Sequence, residues 1–230
     1  MNQLITDGII LSRTNYGEAD RIIKLLTPAN GKISLIARGV RKPKSKLAGG
    51  IELFSVSGIT YIKGRGELGT LVSARLDKHY GKIVKNIDRV QLGYELIKAL
   101  DRATEDEPEA EYFELLQQVF EALNDDSIDV ALVRFWFNVQ LVKLSGHSPN
   151  LHTDATGAKL SADLRYTFDF DNVSFAEHPE GQFTPDHIKF LRLAFAGGSP
   201  KLLQQVTGVP KLLPIVMPLV QTMLTSYIRV

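Results

Sequence analysis

The sequence contains no cysteine among its 230 residues. Without thiols it can form no disulfide bond, no thiolate metal site and no cysteine nucleophile. It also lacks an apolar run of about 18 residues, so no membrane span is expected. The N-terminus, Met1–Asp7, has no basic segment followed by an apolar one, so no secretory signal is expected either. These absences together favour a cytoplasmic location.

The charge is balanced overall but uneven along the chain. Residues 1–79 carry 13 Lys and Arg against 6 Asp and Glu, a net of +7, whereas residues 80–230 carry 14 against 20, a net of −6. Five of the cations fall within the nine residues 38–46. Such asymmetry predicts a polyanionic partner for the basic half, most commonly nucleic acid. The alternative for residues 38–46 is a solvated, disordered loop, but a short connection between two strand-like segments favours a binding role.

The first 79 residues have the pattern of a small β-barrel. Runs rich in Ile, Val, Leu, Thr and Tyr alternate with turns that contain Gly, Pro and Asn. In the third run Ile33, Leu35 and Ala37 share one face. Five short strands in about 75 residues favour a closed barrel such as an OB-fold. The predicted strands are Ile5–Arg13, Arg21–Leu26, Lys32–Ala37, Leu53–Ile62 and Leu68–Leu76.

The second half has the pattern of an all-α domain. From about residue 82 apolar residues recur at spacings of three and four, which predicts amphipathic helices. Residues 147–183 lose this periodicity and predict an irregular insertion. Pro214 and Pro218 predict a kink or a late start in the last helix. The predicted helices are 83–100, Glu111–Leu123, Ile128–Leu144, one that begins at Thr184, and Pro210–Val230.

Several motifs resemble those of one family when they are taken in order. Residues Asn15–Arg21, Leu26–Ile33 and Ala37–Ser45 resemble the N-terminal domain of the RecO recombination mediator family. Gly64–Leu68 and Val142–Leu151 are similar to a later hairpin and to the helical domain of that family. The resemblance implies an α+β protein with an OB-fold barrel at 1–79 and an all-α domain at 80–230. In this domain, 147–183 would stand in place of a zinc finger.

The resemblance also implies a function without bond chemistry. RecO-like proteins bind single- and double-stranded DNA, anneal complementary strands and engage single-stranded DNA-binding protein. They work with RecR to load RecA. The family therefore implies a role in DNA repair and recombination and a nucleoid-associated cytoplasmic location. For this chain itself, no cofactor and no membrane association are expected.

Long cationic side chains along a barrel face and its loops are suited to contact DNA phosphates. The predicted DNA-binding residues are Arg13, Lys24, Arg38, Arg41, Lys42, Lys44, Lys46, Lys63 and Arg65. Aromatic platforms for bases are few, which predicts backbone-dominated, sequence-indifferent binding. Phe54 is expected in the core, and Tyr16, beside Gly17, is a candidate platform that the sequence alone does not favour. An acidic protein tail would need cations around an apolar pocket, and the helical candidates are Lys98, Arg102, Arg134 and Lys143.

The sequence departs from the family at its metal motif. Where many relatives have C-x-x-C-G, this chain has Thr153–Gly157, and the second pair falls at Phe175 and His178. Threonine and phenylalanine cannot replace thiolates, so a structural zinc is not expected. Nitrogen and oxygen ligands could form a different metal site, and the candidates are His147, His152, Asp154 and His178. The favoured interpretation is that these four are ordinary surface residues.

Three alternative functions follow from the same sequence. An enzyme is disfavoured because there is no phosphate-cradling glycine loop and no G-x-S-x-G motif, and Gly64–Gly69 predicts a hairpin. Asp7, Glu18 and Asp20 could form a nuclease metal cluster, although a role in holding a loop is favoured for Glu18 and Asp20. A general OB-fold nucleic-acid-binding protein would leave the helical half unexplained. A protein-interaction scaffold without mediator activity is the third alternative.

Overall fold

The computed structural model describes residues 3–64, 66–105 and 109–228. Contacts divide the chain into two compact units, residues 1–125 and 126–230. The first unit contains strands β1 (Gln3–Tyr16), β2 (Asp20–Thr27), β3 (Gly31–Ala37), β4 (Ser55–Ile62) and β5 (Leu68–His79), and helices α1 (Ile87–Ala103) and α2 (Ala110–Leu123). The second contains α3 (Val130–Leu144), β6 (Asn150–Asp154), β7 (Tyr166–Asp169), β8 (Ser174–Glu177), α4 (Pro185–Phe195), α5 (Pro200–Gln204) and α6 (Val209–Tyr227).

The five strands of the first unit close into a barrel in the order β1-β2-β3-β5-β4. β3 pairs with β5 in parallel, and the other neighbours in the barrel pair antiparallel. This arrangement confirms the OB-like barrel and the α+β class predicted from the sequence. The helices that follow confirm that the period of the apolar residues changes from two to about 3.6 beyond residue 82.

Alternate side chains of β2 and β3 enter the barrel core. Ile23 and Leu25 of β2 and Leu35 and Ala37 of β3 are fully or almost fully buried, and Ile33 packs against them. The predicted face of the third strand is therefore correct. Gly50 lets the β3–β4 connection return to the barrel, because a side chain there would lie 2.3 Å from the Ala74 carbonyl oxygen.

Helices α1 and α2 share an aromatic cluster with the barrel. Phe54 is 2% exposed, and its ring makes edge contacts with Phe120 of α2 and Tyr94 of α1, both at 5.5 Å between centroids. Tyr80 also contacts Phe120. The last barrel strand ends at His79, three residues beyond the predicted end, and the compact unit extends through both helices to residue 125.

The second unit contains a small sheet that the sequence did not reveal. β6, β8 and β7 lie in that order within the segment expected to be irregular. Its core consists of aromatic rings in edge-to-face contact around Phe175, which is fully buried. The surrounding rings are those of Tyr166, Phe168 and Phe183.

Helix α6 runs without interruption across Pro214 and Pro218, so the predicted late start is wrong. Its length and mean hydropathy of 1.2 would allow it to cross a membrane, and among the described helices it alone meets those criteria. Val216, Val220 and Met223 are fully buried, and α6 packs against α3 and α4. Its five buried residues, Val216, Leu219, Val220, Met223 and Leu224, form part of the core of the second unit.

Candidate nucleic-acid interface

Residues 38–46, here called the basic loop, are fixed to the neighbouring β1–β2 turn. The Gly39 N–H donates to the Asp20 carboxylate over 2.7 Å, and the Arg41 N–H donates to the Ala19 carbonyl over 2.9 Å. The Arg41 guanidinium also donates to the Gly17 carbonyl over 3.3 Å. Val40 is 3% exposed and belongs to the barrel core. The basic loop is therefore an ordered part of the barrel.

Two consecutive turns fold the basic loop back on itself. The Lys42 N–H donates to the Gly39 carbonyl, and the Ser45 N–H donates to the Lys42 carbonyl. Gly39 has φ +64°, which a glycine adopts without the steric penalty of a side chain. The loop's cationic side chains remain exposed to solvent, namely Arg38, Arg41, Lys42, Lys44 and Lys46. Since the backbone is already ordered, binding a polyanion would require little further ordering.

The β1–β2 turn adjoins this surface but adds no net positive charge, because Glu18 and Asp20 outnumber Arg21. Tyr16, the last residue of β1, is 54% exposed, and Gly17 beside it has φ +54°. Arg21, at the start of β2, donates from Nε to the Asn15 side-chain oxygen over 3.1 Å. In OB-folds the loop between the first two strands is one of the ligand-binding loops. We call residues 16–21 together with the basic loop the basic edge.

Lys24 lies away from the basic edge and is neutralised within the first unit. Its ammonium group is 2.7 Å from the Asp101 carboxylate, which Lys32 approaches to 3.2 Å. Lys32 also donates to the backbone carbonyls of Asp101 and Thr104, and its side chain is only 3% exposed. A cation at the C-terminal end of α1 is favourable because these carbonyls have no partner within the helix. The two lysines thus join β2 and β3 to α1.

The remaining predicted DNA-binding residues occupy separate positions. Arg13 pairs with Glu52 at 3.0 Å and donates to the Ile51 carbonyl. Lys63 is exposed on the β4–β5 connection, beside a groove of about 620 Å³ that Lys24 and Lys32 also line. Arg65 lies outside the described residues.

The structure therefore brings five of the nine predicted residues together in one ordered loop. It places Arg13 and Lys24 in ion pairs, and Lys63 on another connection. Arg21 is not among the predicted DNA-binding residues. The strand pattern around it does not indicate that it pairs with Ala37, next to the basic loop. Asp101 was missed because it is 77 residues from Lys24, although its position near a helix C-terminus could have suggested a lysine partner.

The helical cations fall into two separate groups. Lys98 and Arg102 are exposed at a spacing of four on α1 in the first unit. On α3 in the second unit, Lys143 is exposed and Arg134 is half-buried. The spacing on α1 places two positive charges on one helix face.

The zinc that the family resemblance implies does not fit the residues present. Phe175 fills the aromatic core, and the Thr153 hydroxyl accepts a hydrogen bond from Asn150 over 2.6 Å. The Asp154 carboxylate accepts from the Thr156 hydroxyl over 2.7 Å and from the Thr156 and Ala158 N–H groups. These bonds, led by the one from Thr156, lower the pKa of Asp154 below its usual value. Hydrogen bonds and aromatic packing here replace metal ligation.

The alternative metal ligands are also separated. The His147 ring stacks on Tyr227 at 5.0 Å, and His178 accepts from the Glu180 N–H. His152 is exposed on β6. Across residues 3–64, 66–105 and 109–228, no three His, Asp or Glu side chains come together as a metal site.

Asp7, Glu18 and Asp20, the candidates for a nuclease metal cluster, do not come together as a metal site. Asp20 accepts from Gly39 and holds the basic loop. Asp7 lies in β1, and Glu18 is exposed in the turn between β1 and β2. The glycines at 64–69 lead into strand β5, as the hairpin interpretation predicts.

The fold defines an α+β protein with an N-terminal OB-like barrel and a helical C-terminal region. Two family models match the sequence of this chain: "Recombination protein O N terminal" over residues 1–80 and "Recombination protein O C terminal" over residues 89–194. A DNA repair protein RecO from Listeria welshimeri is 30% identical over 199 residues, which cover 82% of this chain and 76% of the relative. The chain belongs to the RecO family.

Two further relatives have the same name. The DNA repair protein RecO of Syntrophus aciditrophicus is 31% identical over 166 residues, which cover 71% of this chain. That of Halalkalibacterium halodurans is 29% identical over 170 residues, which cover 74%. The chain spans 64% and 65% of the length of these two relatives.

Proposed function

We propose that this chain is a recombination mediator that binds single- and double-stranded DNA through its basic edge. One observation carries the proposal: five exposed cations occupy a loop whose backbone is fixed to the β1–β2 turn. A cluster of cations on an ordered backbone can neutralise several neighbouring phosphates at once. Release of the counterions from those phosphates favours binding.

The chemistry of the basic edge matches strand annealing. Lysine and arginine contacts to phosphates do not depend on the base, so both complementary strands can bind. Neutralised phosphates also reduce the repulsion between two strands. The chain would act by binding rather than by catalysis, in accordance with relatives that are named for DNA repair.

We assign protein partners to the helical region. The acidic tail of single-stranded DNA-binding protein would be attracted by exposed cations, of which Lys98, Arg102 and Lys143 are candidates. RecR is a second expected partner, and RecA would be loaded indirectly. Where the bound tail shields such a cation from water, its charge-assisted hydrogen bond to a carboxylate contributes roughly 1.5–3 kcal/mol.

Annealing of complementary strands coated with single-stranded DNA-binding protein tests this function. The purified chain should accelerate duplex formation, measured by fluorescence transfer between labelled strands. Binding to naked DNA without acceleration would instead indicate a general OB-fold nucleic-acid-binding protein. Partner binding without DNA binding would indicate a protein-interaction scaffold.

A further inference from the structure

Tyr16 is unusual among the aromatic residues of the barrel segment. Residues 1–80 contain four aromatic side chains, Tyr16, Phe54, Tyr61 and Tyr80, and all four are described. Phe54, Tyr61 and Tyr80 are 2%, 4% and 1% exposed, whereas Tyr16 is 54% exposed. An aromatic base stack on this segment would therefore have to use Tyr16.

The strand register places Tyr16 on the outer face of the sheet, next to the basic loop. Tyr16 pairs with Asp20, whose carboxylate accepts the N–H of Gly39 in the basic loop. Two residues earlier, Thr14 pairs with Ile22, and alternation puts Thr14 and Tyr16 on the same face. Tyr16 thus stands where the outer face of β1 and β2 meets the basic loop.

The backbone beside Tyr16 is fixed by the same contacts that fix the loop. Arg41 donates through its side chain to the Gly17 carbonyl and through its N–H to the Ala19 carbonyl. The exposed guanidinium of Arg41 and the ring of Tyr16 are therefore attached to one ordered turn. A cation for the phosphate and a planar ring for the base are the two components of a single-strand site.

We propose that Tyr16 is a base-stacking platform that gives the basic edge a preference for single-stranded DNA; this inference rests on the proposed function. Phosphate contacts alone give no preference for single strands, because a duplex carries phosphates at a higher density. Paired bases within a duplex are already stacked on both faces, whereas an unpaired base can place one face on the Tyr16 ring. The platform accepts any base, so it adds strand selectivity without sequence selectivity.

Three variants and three DNA probes test the proposal. The variants are Tyr16→Ala, Tyr16→Leu, which keeps apolar bulk without a ring, and Tyr16→Phe, which keeps the ring without the hydroxyl. The probes are a single-stranded oligonucleotide, an abasic strand of equal length and charge, and a duplex. Binding is measured by fluorescence anisotropy at several salt concentrations, and thermal unfolding confirms that each variant is folded.

Tyr16→Ala and Tyr16→Leu should weaken binding to the single strand by about tenfold, the range expected for one lost base stack. Tyr16→Phe should bind like the unaltered chain. Binding of all variants to the abasic strand and the duplex should change less than twofold. The salt slope should stay the same because no phosphate contact is removed.

Two results would overturn the proposal while the unaltered chain still binds DNA through the basic loop. One is undiminished single-strand binding by Tyr16→Ala and Tyr16→Leu. The other is an equal loss on the abasic strand or the duplex, which would give Tyr16 only a role in holding the turn. If the unaltered chain bound none of the probes even at low salt, the proposed function would itself be wrong, and the platform with it.

Discussion

Replacing three lysines of the basic loop should reduce the salt dependence of DNA binding. The change is Lys42→Ala, Lys44→Ala and Lys46→Ala, and all three side chains are exposed. For single strands, log K falls with log salt at a slope of about −0.7 per phosphate neutralised. If each of the five loop cations neutralises one phosphate, the slope is about −3.5, and the triple variant leaves about −1.4.

These slopes give a large difference over an accessible range. Between 50 and 200 mM salt the unaltered chain should lose affinity by about 100-fold, and the triple variant by about 7-fold. Fluorescence anisotropy with a labelled oligonucleotide measures both. Surface substitutions of this kind usually change the free energy of unfolding by no more than about 0.5 kcal/mol, so the fold should be retained.

A matched control removes the same charge elsewhere. Lys85, Lys189 and Lys211 are exposed and lie outside the basic edge, and their replacement by Ala should leave the slope near its original value. An unchanged slope in the loop variant would refute the assignment of the basic loop as the phosphate-binding element. An equal reduction in both triple variants would show that net charge alone determines binding.

Three further outcomes are expected. Asp101→Asn should lower the free energy of unfolding by about 1–3 kcal/mol, because the nearly buried ammonium of Lys32 loses its carboxylate; an unchanged thermal midpoint would contradict this ion-pair assignment. Chelator treatment should leave far-ultraviolet circular dichroism and DNA affinity unchanged, whereas stoichiometric zinc together with a chelator-induced loss of structure would show that a metal site had been overlooked. Lys143→Glu should weaken binding of a labelled acidic tail peptide by about tenfold and leave naked-DNA affinity nearly unaltered; equal losses for both ligands, or none for the peptide, would contradict the proposed division between DNA and protein binding.

The barrel could be predicted from the sequence because its information is local. In the third strand, Leu35 and Ala37 alternate with Ser34 and Ile36, and this period of two fixes which side chains enter the core. Asn15–Gly17 and residues around Gly31 likewise provide local turn signals. Alternation and turn chemistry were sufficient for the strands and for the position of the basic loop between them.

The pairing of charges could not be predicted because it depends on distant residues. Lys24 looks like a DNA-binding cation in its strand, but Asp101 reaches it from the end of a helix 77 residues away. Asp20 is expected to hold a loop, but its particular partner, the Gly39 N–H that follows β3, is fixed only by the paired strands of the barrel. These contacts exist only after the barrel has closed and α1 has packed on it.

The small sheet of the second unit was not predicted, for a different reason. Its strands are four or five residues long, which is too short to establish a period. Its stability comes from rings such as Tyr166 and Phe175, which belong to different short strands and meet only when the sheet has formed. The missing cysteines predict that no zinc is bound in this segment, but they do not predict the aromatic core that its rings form.

The most direct test of DNA binding at the basic edge is a lysine footprint. The chain is acetylated with and without a bound single-stranded oligonucleotide at low salt, and mass spectrometry gives the modification of each lysine. Bound DNA should protect Lys42, Lys44 and Lys46 strongly and leave Lys85 and Lys211 as reactive as before. Protection confined to lysines outside residues 38–46, with the basic loop still reactive, would contradict the account.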